Sequence, residues 1–253
     1  YEVGAAPTAA AALAQTAARI TTIPIALHLD HGKNVAIITE AIAKGYSSVM
    51  IDMSDRHFEE NILLTRKIVN LAHRRKVSVE AELGTVGGSE DLIGAKKIEL
   101  TDPQRAREFV SRTQCDFLAV AIGTSHGAYK FRGKARLQIG LLRLIRRQVT
   151  VPLVLHGASG VPRAVVREAE KYGATLAGVE GVPDQQIKEA IKNGITKINT
   201  DTDLRLAFDA AVRKVVKTKP ADFDPRHILG PAREAIQRVA EERIKLFGRV
   251  GKG

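Results

Sequence analysis

The sequence predicts an α/β protein whose parallel strands close into a (β/α)8 barrel followed by C-terminal helices. Short β-rich runs alternate with longer helical patterns, the signature of βα units. Acids, imidazoles and amides gather at the far end of those runs, as they do where a parallel sheet builds a site at the C-terminal ends of its strands. No G-x-G-x-x-G follows the first strand, which sets the barrel ahead of an open dinucleotide-binding sheet.

In chain order, the Ala-rich stretch 9–18 predicts a helix rather than a spacer. The runs "IPIALHLD" (23–30), "SSVMID" (47–52), "VSVEAEL" (77–83), "DFLAVAIG" (116–123), "VPLVLHG" (151–157) and "ITKINT" (195–200) predict strands. Asn34 caps a helix that runs to Lys44 and stops at Gly45, and residues 61–74 carry Ile62, Leu64, Ile68, Val69 and Ala72 at helical spacing. Thr101 or Asp102 opens the next helix, with Pro103 in its first turn. In 231–247, Ile236, Val239, Ala240, Ile244 and Phe247 form an apolar stripe, while Arg233, Arg238, Arg243 and Lys245 lie off it as a solvated face. Residues 205–253 thus read as a helical extension of a single domain spanning 1–253.

Composition narrows the function classes. With 253 residues, 44% of them hydrophobic, the chain can bury a substantial core. Its one cysteine, Cys115, reads as a small core residue and leaves no disulfide within the chain, which fits a reducing compartment. No run approaches the roughly 18 apolar residues of a membrane span, and the first residues lack the basic start of a signal peptide. A soluble cytoplasmic protein with no membrane partner is expected. The net charge of +11 invites nucleic acid, but aromatics are only 4%, Trp is absent, and the surplus cations follow amphipathic helices. No nucleic-acid partner is expected; the same charge attracts small phosphorylated anions.

His31, His126 and His156 each stand at a strand exit, and each is followed by glycine: Gly32, Gly127 and Gly157. Three neutral imidazoles meeting in one bowl suit a catalytic zinc or a similar divalent ion, provided the barrel brings distant strands together. His28, His57, His73 and His227 have no such context. Asp30 is placed to exchange a proton with a substrate hydroxyl. Asp52 and Glu82 read as outer partners of the ligands or as a second resting place for the ion, and Glu80 reads as a salt-bridge partner in the barrel wall. The turns "TSHGAYKF" and "HGASGVP" offer Gly127, Lys130, Gly157 and Ser159 to a phosphate, with "NTDTDLR" beside them.

These residues resemble a known family. "ALHLDHG", "VSVEAELG", "AVAIGTSHGAYKF", "PLVLHGASGVP" and "GITKINTDTDLRLAF" are similar, in order and spacing, to the class II (metal-dependent) fructose-bisphosphate aldolases from about residue 20 to the C-terminus. The resemblance implies reversible, zinc-dependent cleavage of fructose 1,6-bisphosphate to dihydroxyacetone phosphate and glyceraldehyde 3-phosphate. It implies His31, His126 and His156 as metal ligands and Asp30 as the proton donor or acceptor at the C4 oxygen. Gly127, Lys130, Gly157, Ser159, Asn199, Asp201 and Thr202 would line the phosphate and hydroxyl contacts. Glu90, in "GTVGGSEDLIG", matches the loop acid that moves the proton at carbon, and Arg226, in "DPR", an arginine that some members lend to a neighbouring subunit. A homodimer or homotetramer is implied, and zinc, cobalt or iron and an assisting monovalent cation stay open.

Tagatose-bisphosphate aldolases share most of these motifs, but that branch tends to read "NVATELK" and "GTAHG" where this chain reads "NTDTDLR" and "GTSHG". A non-catalytic sugar-phosphate binder stays open as well. A Schiff-base mechanism is disfavoured, since only Lys197 lies near a strand exit. The family opens with a strand, a helix and a second strand. Here "YEVGA" matches the first, and the chain then runs straight to the third. The expectation is a barrel of about seven strands with one N-terminal strand missing, either because this sequence omits a segment of the whole protein, the favoured reading, or because the chain is a shortened relative with an incomplete barrel.

Overall fold

The computed structural model describes residues 7–90, 93–95, 99–126, 136–176 and 178–252, the side chains of 87–90, 93–95, 125 and 126 excepted. Helix α1 (Pro7–Ile20) precedes strand β1 (His28–Gly32), helix α2 (Val35–Ala43), strand β2 (Ser48–Ile51), helix α3 (Phe58–His73) and strand β3 (Ser78–Leu83). A hairpin of β4 (Gly87–Glu90) and β5 (Ile93–Ala95) leads to α4 (Pro103–Thr113), β6 (Phe117–Val120), the two-residue β7 (Ser125–His126) and α5 (Ile139–Gln148). Strand β8 (Leu153–Leu155), helices α6 (Arg163–Lys171) and α7 (Asp184–Lys192), strand β9 (Ile195–Ile198), and helices α8 (Thr202–Thr218) and α9 (Pro225–Leu246) complete the order.

Six strands form one sheet in the order β1-β2-β3-β6-β8-β9, and every pair in it is parallel. The sheet is a half-barrel, open between β1 and β9. Among the described residues the sheet falls short of a closed (β/α)8 barrel: the six runs read as strands are all in it, the Ala-rich stretch before residue 20 forms α1 as expected, and the seventh expected strand, "YEVGA", lies outside the described residues. The first strand is also displaced, pairing over 28–32 rather than 23–30. Ile23 and Ile25 lie outside the pairing, 66% and 43% exposed.

The two faces of the sheet differ. Val49, Ile51, Val79, Ala81, Leu118, Val120, Leu153 and Leu155 belong to the main core, which they share with helix residues such as Ile38, Ile68, Phe109 and Leu142. Met50, Ala119 and Val154 form a small separate cluster on the inner face. Side chains alternate along a strand, so Glu80 and Glu82 share that inner face with Met50. Met50 lies level with Glu80 and Ala119 with Glu82, so the inner face places apolar and charged groups side by side.

The helix starts follow local chemistry. Asn34 Oδ1 accepts from the Ala36 amide at 2.7 Å, and Asp102 Oδ1 from the Arg105 amide at 2.8 Å with Pro103 behind it. Asp224 caps α9 in the same way, accepting from the Arg226 amide at 2.9 Å. Helix α3 begins at Phe58, not Asn61; Asn61 is buried and donates to the Glu82 carbonyl at 3.0 Å, tying helix to strand. Arg243 also departs from expectation. Expected on a solvated face, its side chain is only 11% exposed.

Candidate metal centre

Asp30 and His31 are adjacent in sequence, and on a regular strand they would point to opposite faces. They do not, because β1 carries a bulge. Leu29 pairs with Val49 and Gly32 with Ile51, so three steps of β1 span two of β2. His31 takes φ 45°, a left-handed conformation that costs roughly 1–3 kcal/mol for such a residue. Gly32 follows because a Cβ there would lie 2.6 Å from both the Met50 carbonyl oxygen and Ile38 Cγ1. The glycine admits the neighbouring strand, and the bulge turns both functional side chains inward.

Two imidazoles meet at the rim. The rings of His31 and His156 lie 4.5 Å apart, edge to face. His31 Nδ1 donates to Asp52 Oδ2 at 2.8 Å, and Asp52 is itself held by Lys33 Nζ at 2.9 Å and Ser54 Oγ at 2.7 Å. His156 Nε2 donates to Glu80 Oε1 at 2.7 Å, and Lys197 Nζ donates to Glu80 Oε2 at 2.6 Å. Carboxylates behind the rings fix the tautomers. Nε2 of His31 and Nδ1 of His156 are therefore the nitrogens a metal would take.

Asp30 faces the same space. Asn199 Nδ2 donates to both of its oxygens at 3.0 Å and stands 3.2 Å from His156 Nδ1. Burial pushes the Asp30 carboxyl up, but His28, His156, His31 and Lys197 outweigh it and hold the group well below the carboxylate range. Asp52 is likewise held low, its burial outweighed by His31 and Lys33. Burial pushes His31 down, yet its bond to Asp52 and the charges of Glu82 and Asp30 raise it from 6.5 to about 9. Burial and the nearby Asp52 push Glu82 well above its ordinary value.

Those groups test the fit of a divalent ion. Donor atoms of Asp30, His31 and His156 lie within 4.8 Å of one another, and so do those of His31, Asp52 and Glu82. Glu82 Oε2 is buried with no hydrogen-bond partner among the described residues. Acids crowding one imidazole, a proton drawn onto that imidazole, and a buried carboxyl oxygen lacking a donor all call for positive charge. A divalent ion with nitrogen and oxygen ligands supplies it.

The remaining predicted residues divide into three groups. Ser159, Asp201 and Thr202 come together, Ser159 Oγ accepting from the Asp201 amide at 3.4 Å, and Gly157 turns the chain out of β8 with φ 61°. Gly127 and Lys130 lie outside the described residues, as do the side chains of His126 and Glu90. The backbone brings the strands of those last two together, since β4 runs parallel to β7 with Gly88 opposite His126. Arg226 stays apart, 87% exposed, with its guanidinium folded onto Asp224 at 2.6 Å.

Two further residues, His28 and Lys197, take part in the site. His28 was set aside, yet its Nε2 accepts from Lys197 at 3.2 Å and its Nδ1 pairs with Ser48 Oγ at 2.9 Å. Lys197 was considered only for covalent chemistry, and it is an ion-pair partner. Glu80 is the salt-bridge partner in the sheet wall that the sequence predicts, to Lys197, and it also orients His156. Period two was the available signal: His28 lies two before Asp30, Lys197 two before Asn199, and Glu80 two before Glu82.

Paired imidazoles and carboxylates at the carboxyl ends of parallel strands define an α/β half-barrel protein with a candidate metal site. The sequence profile of the class II fructose-bisphosphate aldolases matches residues 2–176 and 174–252. A fructose-bisphosphate aldolase of Thermus caldophilus is 48% identical over 243 residues, 95% of this chain and 78% of the relative. One from Helicobacter pylori is 48% identical over 236 residues, 92% of this chain and 77% of its own. Among solved structures, the YdjI aldolase of Escherichia coli K12 superposes with a TM-score of 0.78 at 36% identity, covering 99% of this chain and 79% of that one. The chain belongs to the class II fructose-bisphosphate aldolase family. That family is metal dependent, and no described helix here is long and apolar enough to cross a membrane.

Proposed function

We propose that this chain catalyses the reversible cleavage of fructose 1,6-bisphosphate to dihydroxyacetone phosphate and glyceraldehyde 3-phosphate with zinc as its resident ion. The observation that carries the reading is the meeting of Asp30, His31, His156 and Asn199 in a chain of this family. His31 and His156, with His126 as third ligand, hold the ion. When bound, zinc supplies Lewis-acid polarisation of the substrate's ketone oxygen.

The chain's own groups do the rest. Asp30, ionised and held by Asn199, takes the proton of the C4 hydroxyl as the C3–C4 bond breaks and its electron pair moves toward the C2 carbonyl. Glu90, on the loop paired beside His126, returns a proton to C3. The turn 157–161 and the start of α8, through Gly157, Ser159, Asp201 and Thr202, hold phosphate and hydroxyl oxygens, together with Gly127 and Lys130. Domain 1–253 works as one unit in a homodimer or homotetramer, in which Arg226 reaches a neighbour's site. A single free, buried cysteine is in keeping with a cytoplasmic setting.

A coupled assay on purified protein tests this, with fructose and tagatose 1,6-bisphosphate compared before EDTA, after EDTA, and with zinc restored. The expected result is turnover of the fructose epimer that EDTA removes and zinc returns. Preference for the tagatose epimer, or binding without turnover in zinc-loaded protein, contradicts it.

A further inference from the structure

The turn after β8 adopts a conformation that its own sequence does not favour. Val161, a β-branched residue, has φ 48°, which persists only where surrounding contacts over-determine it. Those contacts come from Asp203 in α8. Its fully buried carboxylate accepts from the Gly160 amide at 3.0 Å and the Val161 amide at 2.7 Å. The Val182 amide adds a bond to the Ser159 carbonyl at 3.0 Å.

A buried carboxylate needs a counter-charge. Arg243, late in α9, supplies it: Nε stands 3.7 Å from Asp203 Oδ2, and Nη1 donates to Asp184 Oδ1 at 2.9 Å. The guanidinium packs directly over Gly160, where a Cβ would come within 2.7 Å of Nη1. One side chain thus joins α9 to α7, to α8 and to the turn between His156 and α6. Its partners lie 59 and 40 residues away in sequence, and neither the amphipathic stripe nor the charge count of α9 reveals them.

We propose that Arg243 is a positioning residue, acting from the C-terminal helix through Asp203 to hold the turn 157–161 in its phosphate-receiving conformation. The inference rests on the aldolase reading for the substrate and for the phosphate role of the turn. Loss of the guanidinium leaves Asp203 without its charge partner, lets Val161 relax, and moves Gly157 and Ser159 from where a phosphate meets them.

The test compares zinc-loaded full chains of the wild type, Arg243→Met, Arg243→Lys and Asp184→Asn. KM and kcat on fructose 1,6-bisphosphate, zinc content, and binding of inorganic phosphate by calorimetry are measured. Arg243→Met is expected to raise KM and the phosphate Kd about tenfold, with kcat within about threefold and zinc content unchanged. Arg243→Lys recovers most of the loss. Unchanged KM and phosphate Kd with only a lower Tm, or a fall in kcat at constant KM, overturns the proposal. If Arg243→Met does not fold, Asp184→Asn decides: a KM and phosphate Kd raised about twofold support the role, and unchanged values overturn it. A wild type that binds phosphate but cleaves no bisphosphate sinks the aldolase reading and leaves the phosphate comparison to judge Arg243.

Discussion

Glu80 and Glu82 stand two residues apart on the inner face of β3, 1% and 2% exposed, and their surroundings drive them in opposite directions. Glu80 belongs to the β8–β9 side of the bowl. Burial raises it, but bonds from His156 and Lys197 bring it down to about 2. Glu82 belongs to the β1–β2 side, where Asp52 repels it and Oε2 finds no donor among the described residues. Burial is equal, so partners make the difference. The β8–β9 side is a charge-balanced scaffold that orients a ligand. The β1–β2 side is short of positive charge, and that shortage marks where a cation belongs.

Asp30 spans the two sides and carries the largest expected effect. Asp30→Asn should lower kcat by roughly 10²–10⁴-fold with zinc content unchanged. Loss of zinc together with activity would make Asp30 a ligand rather than a proton carrier.

Removing charge from the balanced side should come next. Glu80→Gln leaves Lys197 and His156 without their buried partner and should destabilise the metal-free protein by about 3–5 kcal/mol, read as a lower urea midpoint at constant slope. A midpoint within experimental error of wild type would mean that the β8–β9 scaffold is not held by this pair.

The pH dependence of the metal-free protein sharpens the contrast. His31 binds its proton more tightly folded than unfolded, so its stabilisation is full below pH 6.5 and lost as pH climbs through about 9. Glu82, also raised, loses stability in the same direction from about pH 4.5 upward. Asp52 runs the other way: its contribution is full above pH 3.8 and lost as pH falls toward its lower folded value. Thermal melts should therefore show Tm falling by roughly 5 °C between pH 5 and 9.5. A flat profile across that range would show that the acid crowding is not felt.

The smallest effect belongs to the unbalanced side. Glu82→Gln should change metal-free stability in acid by less than about 0.5 kcal/mol, because burial and Asp52 favour the neutral carboxyl that glutamine mimics, and should make the alkaline decline shallower. A loss as large as that of Glu80→Gln would erase the distinction between the two sides.

The sequence displayed the strands and the rim more fully than the partners behind them. All six strands of the sheet were visible as short β-rich runs, since the face they turn to the helices must be apolar. Asp30, His31, His156 and Asn199 were visible because strand exits are where a parallel sheet exposes side chains. Closure into a full barrel was not legible, because closure depends on which edges meet, and a run of residues does not encode its neighbour. His28 and Lys197 were missed because they touch only through pairing at a separation of 169 residues. Arg243 was misplaced for a related reason: amphipathic spacing tells which face of a helix is polar, not whether a buried carboxylate waits opposite it. The bulge that turns Asp30 and His31 to one side left only Gly32 as its trace.

The most direct measurement is cleavage of fructose 1,6-bisphosphate by EDTA-stripped protein titrated with zinc. Turnover is expected to be absent without metal and to rise linearly to a plateau at one zinc per chain. Turnover that survives complete removal of metal, or none at saturating zinc, would contradict a cation seated at His31 and His156 as the centre of this protein's chemistry.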